Sequence, residues 1–148
     1  MARYIVDSQI DNHEKYYFIR EQESQDIVLL PSKYLMHKKR SKLSPNTIRR
    51  SAGAISYYLN YIDETGIQLD DVWEMPYDKQ QEHFTDYLIW LQAGLHSGDS
   101  YKKKPYNETC NAYLKEVFRF YRFSGQQDES IKQLKDLSDM RIIVHNSV

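Results

Sequence analysis

Ser44-Pro45-Asn46-Thr47-Ile48-Arg49-Arg50-Ser51-Ala52-Gly53-Ala54-Ile55-Ser56-Tyr57-Tyr58-Leu59-Asn60-Tyr61-Ile62-Asp63-Glu64-Thr65-Gly66 is the stretch that decides the fold. Ser44 is a good N-cap, because its side-chain oxygen can accept from an unpaired amide of the first turn, and Pro45 suits the first helical position. Ile48, Ala52, Ile55, Leu59 and Ile62 then recur at alternating spacings of four and three, which places them on one stripe of an α-helix. Gly66 supplies the left-handed residue that closes it. The opposite face carries Thr47, Arg50, Ala54 and Tyr57, with Asn46 and Arg49 beside them.

Working outward, Pro31 opens a first helix that runs through about Arg40. After Gly66 comes a loop with Trp73, Pro76 and Tyr77. Asp78 caps a third helix with the stripe Phe84, Tyr87, Leu88, Leu91 and Leu95. The polar run from Gly94 to Pro105, with Gly98 and Lys102-Lys103-Lys104, reads as a loop. Asn107 caps a fourth helix that turns Cys110, Tyr113, Leu114, Val117, Phe120 and Tyr121 inward and ends at Gly125. Glu129 to Leu137 reads as a short helix and Met140 to Val144 as a terminal strand.

Residues 1–30 differ in kind. Tyr4-Ile5-Val6, Tyr16-Tyr17-Phe18-Ile19 and Ile27-Val28-Leu29-Leu30 are β-prone, with Asp11-Asn12 as a turn between the first two; a helix after Ile19 stays open. The expected class is all-α, a four-helix orthogonal bundle with a short β element at the N-terminus. The expected division is an extension over 1–30, a DNA-binding domain over 31–125, and a tail or linker over 126–148.

Charge narrows the function. The 148 residues carry a formal net charge of -1, which taken whole does not suggest a nucleic-acid binder. Its distribution does. Between Pro31 and Ile62 stand Lys33, Lys38, Lys39, Arg40, Lys42, Arg49 and Arg50, with no acidic residue. From Asp63 to Asp99 there are nine acidic residues against the single Lys79. From Ser100 to Phe123, Lys102, Lys103, Lys104, Lys115, Arg119 and Arg122 outnumber Glu108 and Glu116. A fold that joins the two basic blocks makes one positive face on a neutral protein.

Other chemistry finds little purchase. Cys110 is the only cysteine, so an internal disulfide or a Cys-based zinc site is excluded. His13, His37, His83, His96 and His145 are dispersed without ligand spacing. No phosphate loop, nucleophile elbow or paired-carboxylate motif occurs. No metal, cofactor or catalytic residue is expected. No apolar run approaches the ~20 residues that span a bilayer, and the cytoplasm is the simplest location.

Two helices carry the expected site. On the helix from Ser44 to Gly66, Arg49 and Arg50 can pair with guanine or phosphate, Ser44 and Thr47 with the helix N-terminus can hold a phosphate, and Gly53 and Ala54 permit close approach. On the fourth, Asn111, Lys115, Arg119 and Arg122 form a stripe, Thr109 sits in the first turn, and the lysine run leads in. The plainer reading is two solvated faces, or a helical module that binds a protein partner rather than DNA.

Ser44-Pro45-Asn46-Thr47-Ile48, the following arginine pair and Tyr57-Tyr58-Leu59-Asn60-Tyr61 resemble the opening helix of the core-binding domain of tyrosine recombinases, the phage-integrase family. Thr109-Cys110-Asn111-Ala112-Tyr113-Leu114-Lys115-Glu116-Val117-Phe118-Arg119-Phe120-Tyr121-Arg122-Phe123 is similar to that domain's last helix. The resemblance covers about residues 31 to 125. It implies a SAM-like four-helix domain that clamps one side of duplex DNA at a recombination or integration site of a mobile element. Thr47, Arg49, Arg50, Asn111, Lys115 and Arg119 would be its contacts, joined by Lys42, Ser44, Asn46, Tyr57, Lys102, Lys103, Lys104 and Thr109. Cys110 departs from the family's usual Ile or Val, and Glu108 and Glu116 are acidic where phosphates are expected. The family's catalytic residues are absent: the 23 residues after Gly125 hold no His-x-x-Arg pattern. The resemblance therefore implies a non-cleaving fragment, either an expressed domain or a truncated gene product. It would be monomeric alone and would contact other recombinase subunits when intact.

Overall fold

The structure is a computed structural model and describes residues 2–97 and 104–127. Lys102 and Lys103 and the elements expected over 129–144 lie outside the described residues.

The chain opens with a β-hairpin of β1 (Tyr4–Asp11) and β2 (Glu14–Glu21), paired antiparallel from Tyr4↔Glu21 to Asp11↔Glu14. Asn12 and His13 turn it, with φ of 51° and 67°. Two left-handed residues in a two-residue loop match the right-handed strand twist, and Asn and His tolerate that region better than most residues. The turn thus falls one residue later than Asp11-Asn12.

The helices are α1 (Leu29–Arg40), α2 (Pro45–Thr65), the single turn α3 (Asp71–Glu74), α4 (Tyr77–Gln92) and α5 (Asn107–Gln127), with a 3-10 turn at Leu95–Ser97. α2 behaves as its sequence dictates. Ser44 Oγ accepts from the Thr47 amide at 3.2 Å, Pro45 opens the helix, and Gly66 closes it at φ 74°. Its stripe is buried throughout and meets Phe84, Tyr87, Leu88 and Leu91 of α4 and Leu114, Val117, Phe120 and Tyr121 of α5.

The all-α, four-helix class is corrected by this arrangement: among the described residues five helices share one core with the hairpin. A lone two-stranded hairpin is marginal in water. Here Ile19 is completely buried among the helices, with Tyr4, Val6 and Tyr17 packed against the same core. Ser32 Oγ meets the Ile19 amide at 3.1 Å, and Asn60 Oδ1 accepts from the amides of Arg3 and Tyr4 at 3.0 and 2.9 Å. The hairpin's stability comes from α1 and α2, which local β-propensity does not reveal.

Smaller boundaries also move. α1 begins at Leu29, ahead of Pro31, while Ile27 makes only an isolated bridge to Arg20. The loop around Trp73 contains α3. α4 starts at Tyr77, which leaves Asp78 in the first turn, where its charge complements the helix dipole. Leu95 falls outside α4 and is exposed. Gly125 continues α5 to Gln127 instead of ending it, because Gly125 is not in the left-handed conformation a glycine stop uses.

Candidate nucleic-acid interface

α2 and α5 pack side by side, and a groove of about 730 Å³ runs between their outer faces. From α2 it is lined by Asn46, Thr47, Arg49, Arg50, Ser51, Gly53, Ala54 and Tyr57. From α5 come Glu108, Thr109, Ala112, Tyr113, Glu116 and Arg119, and α1 contributes Lys38. Small residues at 53, 54 and 112 keep the middle open. At one end Tyr57 meets Tyr113 edge-on at 5.3 Å and His96 at 4.7 Å between ring centroids.

Of the expected site residues, Asn46, Thr47, Arg49, Arg50, Tyr57, Thr109 and Arg119 converge here. Ser44 lies just outside and its hydroxyl is engaged locally, 2.8 Å from Thr47 Oγ1 and on the Thr47 amide. Lys42 is exposed in the turn before α2 at φ 62°. Lys104 is exposed beside Gly94, away from the groove. Asn111 and Lys115 do not line it either. Phe118 is buried and packs on Phe84 of α4 at 4.9 Å. A residue seven earlier on the helix shares its side, so Asn111 turns toward α4 and is half-buried, its Oδ1 without a partner among the described residues. Lys115 remains exposed to solvent on the same flank.

Glu116, the acidic residue expected to disturb a phosphate face, turns inward. It is 5% exposed and gathers Tyr34 Oη at 2.7 Å, Lys38 Nζ at 3.0 Å and Arg119 Nη1 at 3.1 Å. Burial alone would raise its carboxyl. Hydrogen bonds from Tyr34, Lys38 and Ser51, with the Lys38 charge, outweigh burial and hold it below the ordinary carboxylate range. Burial first, then the Glu116 charge, pushes the Tyr34 hydroxyl up. Lys38 was missed from the sequence. It is one of three basic residues in a row, and nothing local shows that Lys38 reaches Glu116 while Lys39 pairs with Glu14.

Among the described residues four cations therefore border the groove against two carboxylates, one of them buried. Arg49 and Arg50 are exposed, and among the described residues neither pairs with a carboxylate. α2 has no acidic residue in its first turn, so the positive end of its dipole adds to the same region. The positive surface continues past Lys38 and Arg119 into a shallower hollow of about 240 Å³ bordered by His37 and Arg122. The carboxylates Asp63, Glu64, Asp70, Asp71 and Glu74 lie exposed at the far end of α2 and on the turn after it.

Among the described residues no three His, Cys, Asp or Glu side chains converge as metal ligands, and no helix is long and apolar enough to cross a membrane. Compared with protein-family models, curated proteins and solved structures, the chain matches none of them significantly.

Proposed function

We propose that this chain binds duplex DNA through the basic face of α2 and α5 and does not cut it, acting in the cytoplasm as the DNA-gripping part of a tyrosine-recombinase-type integrase. The observation that carries this reading is the pair Arg49 and Arg50, exposed at the edge of a groove that Lys38 and Arg119 also border. Unpaired cations crowded on the N-terminal half of one helix repel each other, and a polyanion relieves that repulsion. Phosphates supply the charge, while Asn46, Thr47 and Thr109 supply hydroxyl and amide groups of the kind that contact DNA backbone. The likeness of the two helices to the core-binding pattern points the same way. Tyr57 is packed against Tyr113 and His96, so it shapes the groove rather than reaching a base.

The test is fluorescence anisotropy of a labelled duplex titrated with the protein at low and moderate salt. Binding is expected in the micromolar range, as for backbone contacts, and it falls steeply with salt. Arg49→Ala/Arg50→Ala lowers the salt slope by about two and keeps the fold. Binding that ignores salt, or a double variant that binds as well as the parent, rules the reading out.

A further inference from the structure

Gly53 sits in the interior of α2, where glycine weakens a helix relative to alanine. Nothing in the fold asks for it. Its φ is not positive, and a Cβ built there meets no heavy atom of the described residues within 4 Å. The missing side chain leaves space only in the groove, one turn from Arg49 and Arg50 on one side and one turn from Tyr57 on the other. The shape of that space matters too. Base edges are read by a convex element pushed into the major groove, whereas a concave channel between two helices takes a ridge. The ridges of a duplex are its sugar–phosphate strands.

We infer that one strand of the bound duplex lies along the channel between α2 and α5, with its closest approach at Gly53 and its phosphates between Arg50 and Arg119. This rests on the DNA-binding reading and adds a mode to it: the channel holds backbone, so discrimination between sequences is weak there. Arg119 stands on the α5 side of the channel, its charge shared with Glu116 at 3.1 Å, while Arg50 on the α2 side has no carboxylate partner among the described residues.

Gly53→Ala and Gly53→Leu test it, each read by thermal melting and by duplex binding at several salt concentrations. Ala is expected to raise Tm by about 3 °C, since it restores helix propensity without a clash. It should also weaken binding at least about threefold. Leu is expected to stay folded, to weaken binding at least about tenfold, and to lower the salt slope by roughly one. If Leu does not fold, Ala decides alone: tighter folding with weaker binding supports the inference, and unchanged affinity overturns it. Parent and Leu proteins that bind the duplex equally overturn the close approach while the DNA reading stands. A parent that binds a single strand but no duplex overturns the inference, and a parent that binds neither removes the DNA reading with it.

Discussion

The hydroxyl oxygens of Tyr58 on α2 and Tyr121 on α5 lie 2.6 Å apart in the middle of the core. Tyr121 donates its single proton to the Leu69 carbonyl at 3.0 Å, so the short contact is filled by the Tyr58 proton. His83 Nε2, 2.9 Å from the Tyr58 oxygen, must then be the donor, which fixes the imidazole as the Nε2–H tautomer. One directed chain from α4 through α2 and α5 to the loop before α3 satisfies every group in it. It also sets how far apart α2 and α5 stand beneath the groove.

Tyr58→Phe and Tyr121→Phe should each cost about 1–3 kcal/mol, because each strands a buried partner. The double variant should cost less than the two singles together, since the first change already breaks the chain. Urea denaturation of all three checks this. Strict additivity would mean the hydroxyls act independently.

Burial lowers the His83 pKa from 6.5 to about 4. The unfolded chain thus binds a proton at a higher pH than the folded one, and stability drains away as pH falls from about 6.5 toward 4. Burial lowers His96 as well, in the same direction. His83→Gln, which keeps an N–H for Tyr58, should flatten that slope by up to about 3 kcal/mol across the window. An unchanged pH profile would show that His83 is not the group responsible.

Glu116→Gln keeps the shape of the hub and removes its charge beneath Lys38, whose side chain is 13% exposed. Leaving a buried cation uncompensated should cost about 3 kcal/mol near neutral pH. The carboxyl is held below its ordinary value in the fold. Its contribution is therefore present above the ordinary carboxylate range and fades as pH falls through the folded value, so parent and variant converge in acid. The folded variant should bind duplex DNA more tightly at low salt, having lost a negative charge under the groove. Weaker binding would place Glu116 in positioning Arg119 rather than in restraining its charge.

The two glycines of α2's neighbourhood should answer oppositely to alanine. Gly66→Ala forces a side chain into φ 74° and should cost about 1 kcal/mol. Gly53→Ala, on ordinary helical backbone, should gain about as much. Chemical denaturation of both separates a glycine the backbone requires from one it does not.

α2 was legible end to end because local chemistry determines each part of it: Ser44, Pro45, the four-three stripe and Gly66. The same pattern correctly put Arg49, Arg50 and Thr47 on one exposed face. α5 was legible as a helix and in its inward stripe, since Cys110, Leu114, Val117, Phe120 and Tyr121 are all buried. It was not legible in the width of that stripe, which also takes in Phe118 and Glu116. Turning Phe118 inward, which its contact with Phe84 enforces, carries Asn111 and Lys115 off the groove and brings Thr109, Ala112 and Glu116 onto it. The hairpin's strands were legible in their β-prone runs, but its docking on the helices and the Lys38–Glu116 pair escaped for a related reason. Each is stabilised by partners distant in sequence, Ile19 by the helices and Glu116 by Tyr34 and Lys38. Gly125 misled because glycine stops a helix only where the chain turns left-handed, and the sequence does not show where that happens.

Amide chemical-shift mapping of the isotopically labelled protein during titration with a short duplex locates the interface most directly. DNA binding through this groove predicts shifts concentrated at 46–57 of α2 and 108–119 of α5, fading as salt is raised. Shifts gathered instead on α3 and α4, or none at saturating duplex in low salt, would contradict it.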